Sequence, residues 1–289
     1  QDLDINRGGV SSNIAICMAN LGQRPILVGS AGDDFAEYRS WLERHGVDCE
    51  SVHISQTRHT ARFICTTDDH MAQIATFYAG AMTEAREIEL GPISTRVGGL
   101  DLAVISSNDP QAMLRHTQEC RTRKIPFAAD PSQQLAFMDG ESIRELIDGA
   151  TYLFTNEYEA ALTEQKTGWS SDEIADHVQT RVITKGKNGA LIATRGEVPI
   201  EVSVADELRK ADPTGVGDAF RAGFLSGVAW GLGHERSAQV GSMLATYVVE
   251  TIGTQEYELG RRRFLERFTQ AYGEQACEEV EPHLSCPRP

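Results

Sequence analysis

Residues 100–130 read LDLAVISSNDPQAMLRHTQECRTRKIPFAAD. The mainly apolar run 100–105 is typical of a strand buried on both faces of a sheet. Asp109 and Pro110 then supply a cap residue and a first-turn proline for a helix that reaches about Lys124. The apolar run 125–129 is the next strand. A strand, a helix and a strand in this order predict a parallel pair joined by a crossover helix, and hence an α/β fold.

The same alternation continues on both sides of this unit. Further buried strands are predicted over residues 25–28, 152–155 and 181–184, and further helices over 33–46, 142–147, 216–230, 235–250 and 257–271. Residues 60–67 and 72–79 instead alternate apolar and polar side chains, which predicts a two-stranded antiparallel hairpin. Residues 190–204 predict two more strands around the Arg195-Gly196 turn, and the acidic tail after Gly273 is expected to fray.

Composition and charge exclude several classes of function. The 289 residues include 42 acidic and 27 basic side chains, for a formal net charge of −15. Nucleic-acid binding is therefore not expected, because it depends on clustered Lys and Arg. A small anion such as ATP would need local positive potential from backbone dipoles and a bound cation. No apolar run is long enough for a membrane helix, and no cysteine pair has zinc-site spacing, so we expect a cytoplasmic protein with reduced thiols.

The stretch ADPTGVGDAF, residues 211–220, carries the predicted chemistry. Gly215 and Gly217 precede an apolar helical run, so the unpaired N–H groups of the helix start can bind an anion. Asp218 beside such a site has two explanations. It can accept a proton from an attacking hydroxyl during phosphoryl transfer, or it can simply compensate the helix dipole. The spacing fits neither a dinucleotide-binding loop nor, at residues 186–189, a P-loop.

Two motifs together resemble the signatures of the ribokinase (PfkB) carbohydrate kinase family. DPTGVGDAF with the following Ala222-Gly223-Phe224 is similar to the second signature, and GGVSSNIA (residues 8–15) with Leu21-Gly22 is similar to the first. Within the family, residues 59–82, 130–135 and 153–159 resemble actinobacterial adenosine kinase. The resemblance implies a three-layer, ribokinase-like (Rossmann-like) α/β fold with a mostly parallel sheet and a small β lid.

The resemblance also implies roles for particular residues. Asp218 takes the position of the catalytic base for the ribose 5′-hydroxyl, and the amides of Gly215, Val216 and Gly217 match the anion hole. The matching substrate-binding positions are Gly8, Gly9, Asn13, Phe63, Phe77, Gln133 and Gln134. Phe63 and Phe77 would clamp adenine. The loop that binds ATP matches Thr184, Lys185, Gly186 and Gly189.

A metal role is implied for one further motif. Asn156 and Glu159 match the N-x-x-E element that organises Mg²⁺ and phosphates through water, with Glu159 nearest the metal. The same pair fits a helix capping box equally well. A potassium site near Asp212, Thr214 and Gly253 would also suit the family.

The implied organisation has a main domain and a lid. Residues 8–59 and 81–289 would form the main α/β domain, and residues 1–7 and 60–80 the lid, through which a homodimer is expected. Members of the family have about one further strand before the Gly-Gly motif, so we expect this sequence to lack an N-terminal segment. The implied activity is phosphorylation of adenosine by ATP with Mg²⁺. The alternatives are a kinase of a free sugar such as ribose and a catalytically silent nucleoside-binding protein.

Overall fold

A computed structural model describes residues 5–67 and 73–284. Its strands are β1 (Gly29–Ala31), β2 (Val52–Ile54), β3 (Arg62–Thr67), β4 (Gln73–Tyr78), β5 (Ala103–Ser106), β6 (Phe127–Asp130), β7 (Tyr152–Asn156), β8 (Thr180–Thr184), β9 (Ala190–Thr194) and β10 (Ile200–Val202). Its α-helices are α1 (Val10–Asn20), α2 (Ala36–Arg44), α3 (Leu90–Val97), α4 (Pro110–Arg123), α5 (Gly140–Ile147), α6 (Glu157–Thr167), α7 (Ser171–His177), α8 (Val216–Ala229), α9 (His234–Val249), α10 (Arg261–Tyr272) and α11 (Glu274–Val280). Short 3-10 turns include Gly80–Glu87, Ser132–Ala136 and Gly186–Asn188.

The main sheet has six strands in the order β10-β9-β8-β7-β6-β5. Strands β5 to β8 are parallel, and β9 and β10 add antiparallel strands at one edge. The predicted mostly parallel α/β sheet is therefore confirmed. The carboxyl ends of β5, β6, β7 and β8 lie along one edge, where open α/β sheets bind their ligands.

Helices cover both faces of this sheet, which makes three layers. Along β6, Phe127 and Ala129 pack with helices α3, α4 and α5, whereas Ala128 between them packs with α8 and α9. Alternate side chains of a strand point to opposite faces, so a buried strand must be apolar at every position. The run 125–129 meets that requirement.

A separate two-stranded sheet is formed by β3 and β4, as the alternating pattern predicts. Its antiparallel register places Phe63 opposite Phe77 and Ile64 opposite Thr76. The turn that joins the strands lies outside the described residues. A parallel pair of β1 and β2 makes a second small sheet.

Two predicted elements are wrong. Residues 25–28 form only a single bridge between Ile26 and Asp48, through Asp48 N–H to the Pro25 carbonyl and Leu27 N–H to the Asp48 carbonyl; the paired strand β1 follows at Gly29–Ala31. The tail after Gly273 continues into helix α11, whose buried Ala276 and Val280, with Leu284 beyond it, pack on the core beside α9 and α10. Their spacing of four residues is helical, but the acidic residues between them hide it.

Within the described part of the chain, no helix is both long enough and apolar enough to cross a bilayer. Cys17, Cys49, Cys120 and Cys277 are free thiols. Cys286 lies outside the described residues, and the Cys65 side chain is likewise not described.

Candidate active site

The N-terminus of α8 has the backbone that an anion site requires. Gly215 has a φ of +79°, a left-handed conformation that favours glycine. A Cβ added there would lie 2.8 Å from Cγ2 of Thr254, so the turn has no room for a side chain. Ala219 N–H makes the first i→i−4 bond of the helix, to the Gly215 carbonyl at 2.9 Å. The N–H groups of Gly217 and Asp218, which precede it, have no acceptor within the helix, whereas the Val216 N–H of the predicted anion hole makes a long bond of 3.5 Å to the Pro213 carbonyl.

Asp218 lies in the first turn of α8 and is partly buried. Its Oδ2 accepts a hydrogen bond from Nδ2 of Asn13 at 2.8 Å. Burial raises the pKa of the Asp218 carboxyl above its usual range, while the charge of Arg221 and the Asn13 hydrogen bond oppose the rise. A partly buried carboxylate with a raised pKa, next to unpaired amides, is suited to accept a proton from a hydroxyl group.

Asn13 is only 5% exposed, and its amide faces Asp218 rather than solvent. Its Oδ1 accepts from Nε2 of Gln255 at 2.9 Å and lies 2.8 Å from the Thr254 hydroxyl. Because the oxygen is committed to these donors, the amide nitrogen must point at Asp218. The sequence places Asn13 in a substrate-binding signature; the structure makes it a contact of the candidate base.

Gln255 and Tyr38 extend this network to the first glycine pair. Nε2 of Gln255 also lies 2.5 Å from the Tyr38 hydroxyl, which donates to the Gly8 carbonyl at 3.0 Å. A Cβ on Gly8 would meet nothing within 4 Å, and Gly9 has a φ of +102° at the start of α1. Sequence reasoning missed Gln255 and Tyr38, because a lone Gln in a loop and a Tyr on an amphipathic helix carry no motif.

Asp130, at the carboxyl end of β6, is 0% exposed. Its Oδ1 lies 2.7 Å from Nη2 of Arg221, a residue of α8. Burial raises the pKa of Asp130 to about 6, although the Arg221 charge opposes the shift. Arg221 is itself only 7% exposed, and sequence reasoning did not single out either residue. A lone Arg in an apolar helix is a recognisable signal, since a buried Arg almost always has a partner.

Asn156 and Glu159 form the capping box at the start of α6. Glu159 N–H donates to Oδ1 of Asn156 and Asn156 N–H donates to Oε2 of Glu159, each at 2.8 Å. The capping box, one of the two explanations of this pair, is therefore present in the structure. The second oxygen of Glu159 is not part of the capping box, so the residue can also interact with a hydrated cation. Among the described residues, the carboxylate and imidazole atoms that lie close enough together to hold a metal ion belong to Asp33, Asp34 and His59. Glu159 is not part of this group.

The loop predicted to bind ATP lies next to Asn156. Thr184 ends β8 and pairs in register with Asn156 at the end of β7. Gly186 and Gly189 have φ values of +55° and +87°, and a Cβ on Gly189 would lie 1.9 Å from the Val202 carbonyl oxygen. Lys185 makes an ion pair of 3.0 Å with Glu201. Both glycines are thus required by the turn itself.

Gln133 and Gln134 follow β6 in the 3-10 turn Ser132–Ala136. Ser132 has a φ of +47°, which few non-glycine residues adopt. Oε1 of Gln133 accepts from the Ser132 hydroxyl at 2.6 Å, and the Gln133 side chain is exposed. Both glutamines therefore lie at the same sheet edge as Asp130 and Asn156.

Phe63 and Phe77 are directly opposed in the hairpin and are 70% and 55% exposed. Directly opposed residues lie on the same face of a two-stranded sheet. The two side chains therefore form one apolar surface. They are not placed to clamp an adenine ring between them, as the resemblance implied.

Asp212, Thr214 and Gly253 also lie close together. The Asp212 carboxylate accepts from Thr214 N–H at 2.9 Å and from Gly253 N–H at 3.2 Å. Burial opposes a low pKa for Asp212, but these hydrogen bonds lower it. The contacts join the loop before α8 to the loop after α9.

Known proteins share this architecture. The structure of Burkholderia thailandensis nucleoside kinase in complex with inosine superposes with a TM-score of 0.85 at 34% identity, covering 92% of this chain and 88% of that one. Methanocaldococcus jannaschii nucleoside kinase is 28% identical over 250 residues, which cover 86% of this chain and 80% of that protein. Thermotoga maritima ribokinase, at 21% identity and a TM-score of 0.75 over 93% of this chain and 89% of that one, shows the fold alone.

A family model described as pfkB family carbohydrate kinase matches residues 1–259. The expected ribokinase-like fold is therefore confirmed. The chain belongs to the pfkB family of carbohydrate kinases.

Proposed function

We propose that this protein transfers the γ-phosphoryl group of ATP to the 5′-hydroxyl of adenosine, giving AMP and ADP, as a step of purine salvage. The observation that carries the proposal is the partly buried Asp218 carboxylate, held by Asn13, beside the unpaired amides of the α8 N-terminus. The Burkholderia relative binds inosine, which supports a nucleoside acceptor. The family match by itself supports a kinase that acts on a nucleoside or sugar hydroxyl.

In the proposed reaction, Asp218 accepts the proton of the 5′-hydroxyl as its oxygen attacks phosphorus. The amides of Gly215, Val216 and Gly217 stabilise charge on the transferred group. Asn13 holds one oxygen of Asp218, which leaves the other to face the hydroxyl. Gln133 and Gln134 would contact the nucleoside, and Thr184, Lys185, Gly186 and Gly189 the ATP.

Mg²⁺ would neutralise the phosphates of ATP. Glu159 fits this role, because a carboxylate is a hard oxygen ligand and its capping box commits only Oε2. K⁺ remains part of the proposal, but the hydrogen bonds of Asp212 explain the conformation of its loop without a cation. A cytoplasmic location is likewise proposed and is supported by the free thiols of the four cysteines whose side chains are described.

The lid, residues 60–80 with 1–7, is proposed to close over the nucleoside and to join two protomers. The two faces of the β3–β4 hairpin support both roles. One face carries Phe63 and Phe77, and the other carries exposed Ile64, Ile74 and Tyr78. Exposed apolar patches of this kind mark binding surfaces. Sedimentation equilibrium of the protein, giving the mass of a dimer or of a monomer, tests the assembly.

An ADP-release assay with Mg²⁺-ATP across adenosine, inosine, guanosine and ribose tests the function. The proposal expects the highest kcat/KM with adenosine. A preference for inosine would support a nucleoside kinase but would exclude adenosine as the preferred substrate. A preference for ribose would favour the sugar kinase. Calorimetric binding of adenosine with no ADP release from any acceptor would favour the silent binding protein.

Phe77→Ala should raise the KM for adenosine about 10-fold while changing turnover of ribose little, because a stacked base contributes about 1–3 kcal/mol. Val198→Ala is the control, since Val198 is also an exposed apolar residue but lies in the loop between β9 and β10, outside the hairpin. Steady-state kinetics with both acceptors measure the difference. An equal loss for adenosine and ribose in Phe77→Ala would exclude stacking on the base.

A further inference from the structure

Three carboxylates surround one guanidinium beneath the start of α8. Nη2 of Arg221 lies 2.7 Å from Oδ1 of Asp130 and 4.0 Å from Oε2 of Glu159. Arg221 follows Asp218 by three residues on α8, so the two side chains share a helix face. A Cβ added to Gly217 would lie 2.6 Å from Nη1 of Arg221, which places the guanidinium against the anion-site turn. The cluster therefore joins the sheet edge to the candidate base.

Stability does not explain this cluster well. Both oxygens of Asp130 and Nε of Arg221 are buried without a hydrogen bond of good geometry. Removing two charges from water costs several kcal/mol per ion, and a buried ion pair with unsatisfied atoms recovers that cost poorly. An apolar pair of similar volume would stabilise the fold at least as well. We therefore look for the role of the Asp130–Arg221 pair in the function of Asp218 next to it.

The geometry separates two ways in which Arg221 can act on Asp218. Its short ion pair is with Asp130, and none within 4.0 Å joins it to Asp218 among the described residues. A direct pair would occupy the oxygen that must accept a proton. Held by Asp130, the guanidinium can favour the ionised form of Asp218 through space and still leave the carboxylate free to act.

We propose that Arg221 is a positioning residue that keeps Asp218 ionised during phosphoryl transfer, and that Asp130 holds the guanidinium back from pairing with Asp218 directly. This inference rests on the proposed function, in which Asp218 is the base. It goes beyond that function because it assigns opposite electrostatic effects on Asp218 to Arg221 and Asp130. The family resemblance gave neither residue a role.

Other groups also face Asp218 and must be accounted for. Asn13 on α1 donates to it, and Glu159 on α6 adds a negative charge that raises its pKa. Cys17 on α1 is neutral near pH 7, because burial raises the pKa of its thiol to about 12. Glu159 lies 4.0 Å from Nη2 of Arg221, and burial raises the pKa of Asp130 itself to about 6, so both also respond to the variants below. The Asp218 carboxyl is therefore also titrated directly.

The test is the acid limb of the pH profile of kcat/KM, with Mg²⁺-ATP saturating. Arg221→Gln should move this limb to higher pH by about 1 unit, because an opposite charge at this range favours the ionised form. Arg221→Lys should restore part of the shift. Asp130→Asn should move the limb to lower pH, since it removes a negative charge and frees the guanidinium for Asp218. Shifts in the same direction, or a uniform loss of rate without a shift, would overturn the proposal.

A readout without ATP or metal separates this inference from the proposed function. Selective ¹³Cγ labelling of Asp allows the Asp218 carboxyl to be titrated by NMR, with Asp218→Asn assigning the signal. The same opposite shifts are expected there. If Asp218→Asn were fully active, the proposed base would fail while the titration still measured the coupling. If Asp218→Asn were inactive and the titration unmoved in Arg221→Lys and Asp130→Asn, the positioning role alone would fail, and this holds even if Arg221→Gln does not fold.

Discussion

Replacing Asp218 with Asn should lower kcat by about 10²–10⁴ and leave the affinity for the nucleoside largely unchanged. The substitution keeps the shape of the side chain and removes its ability to accept a proton. A group that acts only in the transition state affects kcat and kcat/KM equally. Rates from ADP release, with the nucleoside Kd from calorimetry, measure the two effects separately.

Asp101→Asn is the matched control, because Asp101 is exposed and lies before β5, away from the described hydrogen bonds of Asp218. It should behave as wild type. Near-wild-type turnover in Asp218→Asn would leave only the helix dipole as an explanation of the carboxylate. A loss of nucleoside binding equal to the loss of rate would make Asp218 a binding residue.

Gly215→Ala should lower kcat by about 10²–10³, which is the typical cost of losing one anion-hole donor. The φ of +79° is strained for any residue with a Cβ, and the new methyl group would lie 2.8 Å from Cγ2 of Thr254. The turn must therefore move, and its amides move with it. We also expect the free energy of unfolding to fall by about 1–2 kcal/mol.

Gly233→Ala provides the control for this prediction, since Gly233 also precedes a helix but has a φ of −63° and nothing within 4 Å of the added Cβ. Chemical denaturation and ADP release on both variants separate folding from catalysis. The double variant Gly215→Ala/Thr254→Ser removes Cγ2 of Thr254 but keeps its hydroxyl bond to Asn13, its Cβ at 2.9 Å and the strained φ. Full recovery of rate in the double variant would show that the contact with Cγ2, and not the backbone conformation, limits the single one.

Local patterns were sufficient for the elements whose stabilising contacts lie close in the chain. The capping box of Asn156 and Glu159 spans three residues, and the β3–β4 hairpin pairs neighbouring stretches. The hairpin was predicted, and the capping box was one of the two explanations that the local sequence left open. Helix α11 was missed because its burial depends on how α9 and α10 pack in space, and the local sequence is rich in Glu.

The candidate site shows the same division. The glycines and Asp218 were found because a helix start that binds an anion has a local signature. Arg221 and Asp130 are 91 positions apart in the sequence (221 − 130), and only the packing of α8 on the sheet brings them together. Asn13 and Asp218 are separated by 205 positions. Sequence spacing carries no signal for such pairs.

The amino-acid sequence by itself determined the α/β alternation, the mostly parallel sheet, the hairpin and the turn before α8. Each follows from the period of apolar residues or the backbone requirements of Gly and Pro, which act over a few residues. The tertiary structure alone decided that Asn13 turns its amide to Asp218, that Gln255 orients it, and that Arg221 pairs with Asp130. Those contacts depend on how helices and strands pack in three dimensions, because hydrogen bonds and ion pairs act over a few ångströms regardless of separation along the chain.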